Sequence, residues 1–389
     1  MSVTAAAGFL AAGVTAGLKP SGRPDLALVV NAGPDQVAAA VFTTNRVKAA
    51  PVLWSQQAVA DGRLRAVVLN SGGANACTGP DGFADTHRTA EHVAAALGSR
   101  EGAEVGAGDV AVCSTGLIGT RLPMDLLTAG VTAAVGELDE DGGAAAARSI
   151  MTTDTVPKTA SYVDEGWSVG GMAKGAGMLA PGLATMLVVI TTDAVLDAEA
   201  ADAHLRKACS TSFERVDSDG CMSTNDTVVL MSSGASGVRP TPHDFQAALD
   251  ETCHDLAMQL LRDAEGAGHD IAVEVQHAAS EADALEVARA VARSNLFKCA
   301  VFGGDPNWGR VLAAIGTTGA DFEPDRIDVA FNGVEVCRDG AIGEDRSLVD
   351  LSGRDVRVSI NLRNGRGAAT IWTNDLTYDY VKENAEYST

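Results

Sequence analysis

Aromatic residues are scarce in this 389-residue chain: Phe, Tyr and Trp make up 4 % of it, against 46 % hydrophobic residues in all. Its core must be assembled from Ala, Val, Leu and Ile at close range, with 42 glycines letting backbones approach. That suits a layered α/β protein better than a string of small β modules. Basic residues are also short, 29 Lys and Arg against 51 Asp and Glu, for a net charge of −22. Nucleic acids and anionic membranes are held by clustered Lys and Arg, so neither is expected as a partner. A small anionic substrate is not excluded, because one local Lys or helix N-terminus can hold it at close range.

The seven cysteines (Cys77, Cys113, Cys209, Cys221, Cys253, Cys299, Cys337) form no CxxC and no Cys/His cluster. Free thiols in a reducing cytosol are expected, with no disulfide framework and no metal site. No apolar run is long enough to span a bilayer. The opening MSVTAAAGFLAAGVTAGLKPSG lacks the basic start of a signal peptide and is broken by glycines. A cytoplasmic location is therefore the expectation. Internal repeats, low-complexity stretches and Pro/Ser linkers are absent too. The length still implies two domains, or one large one with an appendage, with a boundary that composition does not mark. Neither GxGxxG nor GxxxxGK[ST] occurs between a strand and a helix, which sets aside a non-enzymatic nucleotide-binding protein.

What is present is patterned. Leu26 to Val30, Val37 to Phe42 and Arg65 to Leu69 read as buried strands; Asp81 to Leu97 and Leu122 to Leu138 read as helices. Two Asn-Gly hairpins are predicted, one turning at Asn332-Gly333 and one at Asn364-Gly365 between Val356–Leu362 and Ala369–Thr373. Ser280 opens a helix that continues through Leu285, Ala288, Val291 and Ala292.

Chemistry concentrates from Lys174 to Thr185, a stretch with Gly175, Gly177 and Pro181-Gly182, followed by the apolar run Met186 to Ile190. The first part is a loop able to hold strain, the second a buried strand, and Thr185 stands at the junction. Such a hydroxyl can attack the Ala184 carbonyl, move the acyl group from nitrogen to oxygen, and leave an ester for water to hydrolyse. The α-amine so freed titrates at about 7.7–8.0, which suits a base acting on its own hydroxyl. The residues alone leave open that Thr185 merely begins a strand. Acyl transfer also needs an oxyanion hole, and backbone N–H groups in a Gly turn supply about 2.7–4 kcal/mol each. The turn Cys113 to Gly119, after the apolar Val110 to Val112, could serve, although Ser-Thr-Gly turns are common.

The chain resembles the ornithine acetyltransferase family along essentially its whole length. The ordered motifs are Phe42 to Val47, Asn70 to Gly79, Ser114-Thr115-Gly116, Met151 to Lys158, Lys174 to Leu187, Ser223 to Thr227 and Asp305 to Arg310. The resemblance implies self-cleavage between Ala184 and Thr185, giving an alpha chain (1–184) and a beta chain (185–389), with Thr185 as nucleophile. It assigns Thr115 and Gly116 to the oxyanion hole. Thr153, Lys174, Glu265, Asn384 and Thr389 become substrate contacts beside Thr185, with Glu265 meeting the substrate's side-chain amine. The implied fold is an α/β, layered α-β-β-α sandwich of N-terminal-nucleophile type with a second, smaller α/β domain. The implied reaction moves acetyl from N2-acetylornithine to glutamate through acetyl-Thr185, in arginine biosynthesis, with no cofactor. Some relatives also accept acetyl-CoA as donor, and no residue here decides that point. The halves are expected to stay together as a heterotetramer of two alpha and two beta chains. The rival on the same scaffold is a self-cleaving aminopeptidase or amidase; a transferase paralogue of secondary metabolism is a second. Two positions depart from the family pattern. Gly73 stands where Asn is usual, and Gly268-His269 where Thr-Lys is usual.

Overall fold

The computed structural model describes residues 2–102, 104–178 and 186–386. A first sheet places Phe9–Val14, Leu26–Asn31, Ala66–Ser71 and Val110–Thr115 in that order, antiparallel except for the last, parallel pair. A second runs Val37–Phe42, Thr227–Ser232, Leu187–Thr192, Trp167–Lys174, Lys158–Asp164, with its first inner pair, Thr227–Ser232 and Leu187–Thr192, parallel. Leu26–Asn31, Ala66–Ser71 and Leu187–Thr192 are buried at every position. Their unbroken apolar runs are what a strand covered on both faces requires.

Alternation along these strands sets the layers. Ala27, Val29, Val67 and Leu69 of the first sheet meet Leu187, Val189, Val229 and Met231 of the second in one core. Leu28, Val30 and Val68 point the other way, under the helices Gly79–Glu101 and Met124–Gly136. Val188, Ile190, Val228 and Leu230 do the same under Ala198–Thr211 and Pro242–Arg262. The result is the expected helix–sheet–sheet–helix sandwich. Alanines at facing positions (Ala27, Ala38, Ala40, Ala111) fill the space between the sheets, which explains the low aromatic content.

The second unit is smaller. Its sheet runs Ala341–Ile342, Val334–Arg338, Asp328–Phe331, Asp355–Asn361, Asp270–Ala278, Gly367–Asn374. Helices Glu281–Ala292, Asn295–Phe302 and Trp308–Ile315 pack on one face of it. The Ser280 side chain caps the first of these, accepting the Asp283 N–H. The units are tied by Asp217 N–H to Trp372 O at 2.8 Å, by Arg215–Glu281 at 2.7 Å and by Arg293–Asp217 at 2.7 Å.

The hairpin at Asn332-Gly333 forms as predicted: both residues have positive φ, +47° and +88°, and the flanking strands pair antiparallel. The predicted hairpin at Asn364-Gly365 does not form. Asp355–Asn361 and Gly367–Asn374 both exist as strands, but Asp270–Ala278 lies between them, parallel to the first and antiparallel to the second. The intruding strand carries Ile271, Val273 and Val275, all at most 1 % exposed, so it belongs in the middle of the sheet. The connecting loop steps over its end, anchored by the Leu362 and Asn364 N–H groups on Gln276 O and His277 O.

Candidate active site

The strand Val110–Thr115 runs on through the predicted turn as far as Thr115, and the chain bends at Gly116. The Thr115 carbonyl accepts two N–H groups, from Gly72 at 2.9 Å and Gly73 at 3.0 Å. Gly116 has φ +129°, and a Cβ there would stand 2.6 Å from Gly73 N, so only glycine fits this crossing. Side-chain amides brace the same place. Asn225 Nδ2 donates to Ala74 O (2.6 Å) and Ser114 O (2.9 Å), while Asn70 Nδ2 donates to Gly73 O (3.0 Å) and Asn70 Oδ1 accepts from Ser114 Oγ (2.6 Å). Among the described residues the Gly116 N–H has no hydrogen-bond partner. A Cβ at Gly73 would meet only the end of the Leu122 side chain, at 2.7 Å, so the departure to glycine leaves the turn's own bonds in place.

Lys174 ends its strand and is paired across the sheet with Leu187. It is 2 % exposed, and its Nζ donates to Thr115 Oγ1 at 3.3 Å. The oxyanion-turn candidate and the candidate substrate lysine are thus in direct contact. Burial pulls the Lys174 ammonium down, with Asp154 opposing. Asp154 lies 4.0 Å from Lys174 and 2.6 Å from Lys158, and accepts the Thr152 and Gly175 N–H groups. Burial pushes this carboxyl up, but Lys174, Lys158 and those hydrogen bonds outweigh it and hold it at about 2. Lys158 is itself shared with Asp263 at 2.6 Å. Asp226, fully buried, accepts the Met186 N–H at 2.9 Å, and its burial pushes that carboxyl well up.

Thr153 and Glu265 line a cavity of about 500 Å³ together with Asp263, Asp379 and Glu383. Burial pushes the Glu383 carboxyl up, and Glu265 and Asp379 repel it further. Arg262 and Arg354 share the lining, so four carboxylates stand against two guanidiniums and the hollow keeps an acidic excess that suits a cationic side chain. Glu265 N–H donates to Ala176 O at 2.9 Å, which fixes the hollow against the loop that follows Lys174. The second departure, His269, ties down the far wall: its N–H and the Gly268 N–H both reach Asp375 Oδ1, and its ring contacts Asp375 Oδ2 at 2.7 Å. Asn384 lies on the exposed helix Tyr378–Glu386, and its amide donates to Tyr380 O at 3.0 Å rather than lining the cavity. Ala184, Thr185 and Thr389 lie outside the described residues. A larger groove, about 770 Å³, between Pro242–Arg262 and the third sheet holds none of the residues named from the sequence. Among the described residues no group of three His, Cys, Asp or Glu could hold a metal ion, and no helix is long and apolar enough to cross a membrane.

A family model described as the ArgJ family matches residues 10–389. The chain belongs to the ArgJ family. Among its ArgJ relatives, the arginine biosynthesis bifunctional protein ArgJ of Streptomyces coelicolor is 65 % identical over 388 residues, 100 % of both chains. The protein of the same name from Thermobifida fusca is 62 % identical over 389 residues, again 100 % of both. A crystal structure of ornithine acetyltransferase complexed with ornithine, from Mycobacterium tuberculosis, is 68 % identical, covering 46 % of this chain and 94 % of that one, with a TM-score of 0.45.

For an ArgJ chain, the geometry brings Thr115, Gly116 and Lys174 into one cluster and Thr153 and Glu265 into the hollow beside it. Asp154, Asn70 and Asn225 were not named as functional residues from the sequence, although each stands in a motif quoted for the resemblance. Their roles rest on distant partners, 21 positions away for Asp154 and Gly175 and 151 for Asn225 and Ala74, which no local pattern reveals. A rigid Gly turn next to a buried ammonium is suited to stabilising charge on an oxygen during acyl transfer.

Proposed function

We propose that this chain is an acetyltransferase of arginine biosynthesis that cleaves itself before Thr185 and carries acetyl on that residue. The observation that carries the reading is the 65 % identity over the full length of a protein named for arginine biosynthesis. The contact between Lys174 and Thr115 supports it. In the precursor, Thr185 Oγ attacks the Ala184 carbonyl, the C–N bond breaks, the amine takes a proton, and water hydrolyses the resulting ester. In turnover the freed amine accepts the Thr185 hydroxyl proton while Oγ attacks the acetyl carbon of N2-acetylornithine. Thr115 and Gly116 stabilise the oxyanion, ornithine leaves with the proton, and glutamate's amine then takes the acetyl group. Thr153, Lys174, Glu265, Asn384 and Thr389 are the substrate contacts in this reading. The acidic hollow around Glu265 takes the ornithine ammonium. Acetyl-CoA is the second donor, which accounts for the word bifunctional in the relatives' names. We place the enzyme in the cytoplasm as a heterotetramer of two 1–184 and two 185–389 chains, without a cofactor.

Intact mass of the wild type beside Thr185→Ala tests the cleavage. Fragments ending at Ala184 and beginning at Thr185, in the wild type only, are expected. An uncut and active wild type would overturn the reading. Product analysis with N2-acetylornithine then separates transfer from hydrolysis. N-acetylglutamate should form only when glutamate is present, whereas acetate released at the same rate without glutamate would indicate the amidase.

A further inference from the structure

Among the described residues, Lys19 is a cation without an ion-paired carboxylate. It is half-buried in the loop between Phe9–Val14 and Leu26–Asn31, and its Nζ donates to two main-chain carbonyls, Met151 O at 2.6 Å and Pro24 O at 2.9 Å. Among the described residues no carboxylate lies within 4.0 Å of it. An ammonium has three donors, and partners among the described residues take two of them. The nearest acid, Asp25, is fully buried and already occupied. Its carboxylate accepts the N–H groups of Ala16 (2.6 Å), Gly17 (3.1 Å), Leu18 (2.6 Å) and Lys19 itself (3.0 Å). Asp25 thus stiffens the loop rather than pairing with the Lys19 head group.

The loop backs directly on the oxyanion turn. A Cβ on Gly72 would sit 2.9 Å from Leu18 O, and the Gly72 N–H is one of the two held by the Thr115 carbonyl. Met151, which holds the Lys19 ammonium, is two residues before Thr153. Burial pulls Lys19 down to about 8; Asp25 opposes this, Lys174 adds to it, and Asp154 opposes it in turn. Lys19 and Lys174 therefore feel each other's charge across the same site. A half-buried ammonium held by two carbonyls, behind the oxyanion turn and close enough to the buried Lys174 to feel its charge, with no carboxylate within 4.0 Å among the described residues, is suited to receive an oxyanion.

We propose that Lys19 is a substrate-binding residue that holds the α-carboxylate of the amino-acid substrates. This rests on the reading of the chain as an amino-acid acetyltransferase. The acidic hollow around Glu265 takes the cationic end of the donor, and Lys19 takes its anionic end, so the acetyl-bearing α-nitrogen is fixed between them. A carboxylate on the acceptor would use the same lysine in the second half-reaction.

The test pairs Lys19→Met with a donor lacking the carboxylate. N-acetylputrescine is N2-acetylornithine without that group. Wild type should prefer N2-acetylornithine strongly, and Lys19→Met should raise KM for both N2-acetylornithine and glutamate by about 10- to 100-fold, the worth of one charge-assisted hydrogen bond. Its kcat should stay within a few-fold, its self-cleavage should remain, and its kcat/KM for N-acetylputrescine should not change. Lys19→Arg should recover most of the loss. Unchanged KM values, equal losses with both donors, or a rise confined to acetyl-CoA would each overturn the assignment, the last by making Lys19 a phosphate contact. Loss of self-cleavage in Lys19→Met, Lys19→Gln and Lys19→Arg alike would reduce it to scaffold and overturn it too. Titration calorimetry of glutamate into wild type and Lys19→Met keeps this separate from the proposed reaction: a wild type that binds glutamate through Lys19 but transfers no acetyl group would sink the reaction and leave the lysine's role standing.

Discussion

A lysine in a dry interior keeps its charge only with an anion beside it, and Asp154 is such an anion for Lys174 and, together with Asp263, for Lys158. Held at about 2, below an ordinary carboxylate, Asp154 stabilises the fold at any pH above about 4 and loses that contribution as pH falls through about 2. The shift is worth on the order of 2 kcal/mol. Asp154→Asn should cost more, about 3–5 kcal/mol at pH 7, because it leaves buried charge uncompensated. Thermal unfolding of both proteins checks this, and the gap between them should narrow from pH 4 to pH 2. A gap independent of pH would mean the carboxylate is not what holds the lysines. Gly116 offers a second single-residue test. Gly116→Ala must relieve a 2.6 Å contact with Gly73 N at a positive φ, so the turn itself has to move. If that turn supplies one oxyanion donor, acetyl transfer should fall about 10²- to 10³-fold. Retained kcat with a lowered unfolding temperature would make Gly116 structural only. Thr115, Gly116 and Lys174 were legible because each stands in a motif; Asp154 as the counter-ion of Lys174 was not, since the two meet only where Lys158–Asp164 pairs back on Trp167–Lys174.

Local turn chemistry decided one of the two predicted hairpins and not the other, and the difference lies in which strand needed covering. Asn332-Gly333 joins two neighbours, so the turn's own φ preference agrees with the sheet. Asn364-Gly365 has the same dipeptide, yet Arg363 takes the positive φ and the loop passes over the buried strand Asp270–Ala278. A strand with an apolar face buried under the helices and both edges paired outweighs a turn preference of about 1 kcal/mol. Substitution separates the two cases. Gly333→Ala meets nothing within 4 Å, so its cost is conformational alone, about 1–2 kcal/mol. Gly365 has no positive φ, but a Cβ there would stand 2.4 Å from Ala278 O, so Gly365→Ala must displace backbone and should cost more. Unfolding midpoints of the two variants compare them directly, and equal losses would contradict the steric account. Single elements were legible because their periodicity is a local property: Val37 to Phe42 is the observed strand, and Asp81 to Leu97 falls inside the helix Gly79–Glu101.

At the scale of the molecule, the chain passes from one unit to the other between the helix Pro242–Arg262 and the strand Asp270–Ala278, well after residue 185 in sequence. A cut before Thr185 would therefore divide neither unit from the other; it would divide the sandwich through itself. The second sheet takes Val37–Phe42, Trp167–Lys174 and Lys158–Asp164 from before the cut, and Leu187–Thr192 and Thr227–Ser232 from after it. Two ladders of six paired residues each cross between the fragments, Val37–Phe42 with Thr227–Ser232 and Lys174–Val169 with Leu187–Thr192. The core between the sheets is mixed in the same way, Val29 and Met172 packing with Val189 and Met231. Separation would open two strand edges and that core together, with no intermediate stage in which either fragment keeps a covered sheet. The cleaved protein should therefore elute as one species in size-exclusion chromatography at any dilution that leaves it folded. Its 1–184 and 185–389 fragments should part only across the same guanidinium transition that removes tertiary structure. Fragments that separate in native buffer, with either one still folded, would show that the interleaved strands do not bind the halves as this architecture requires.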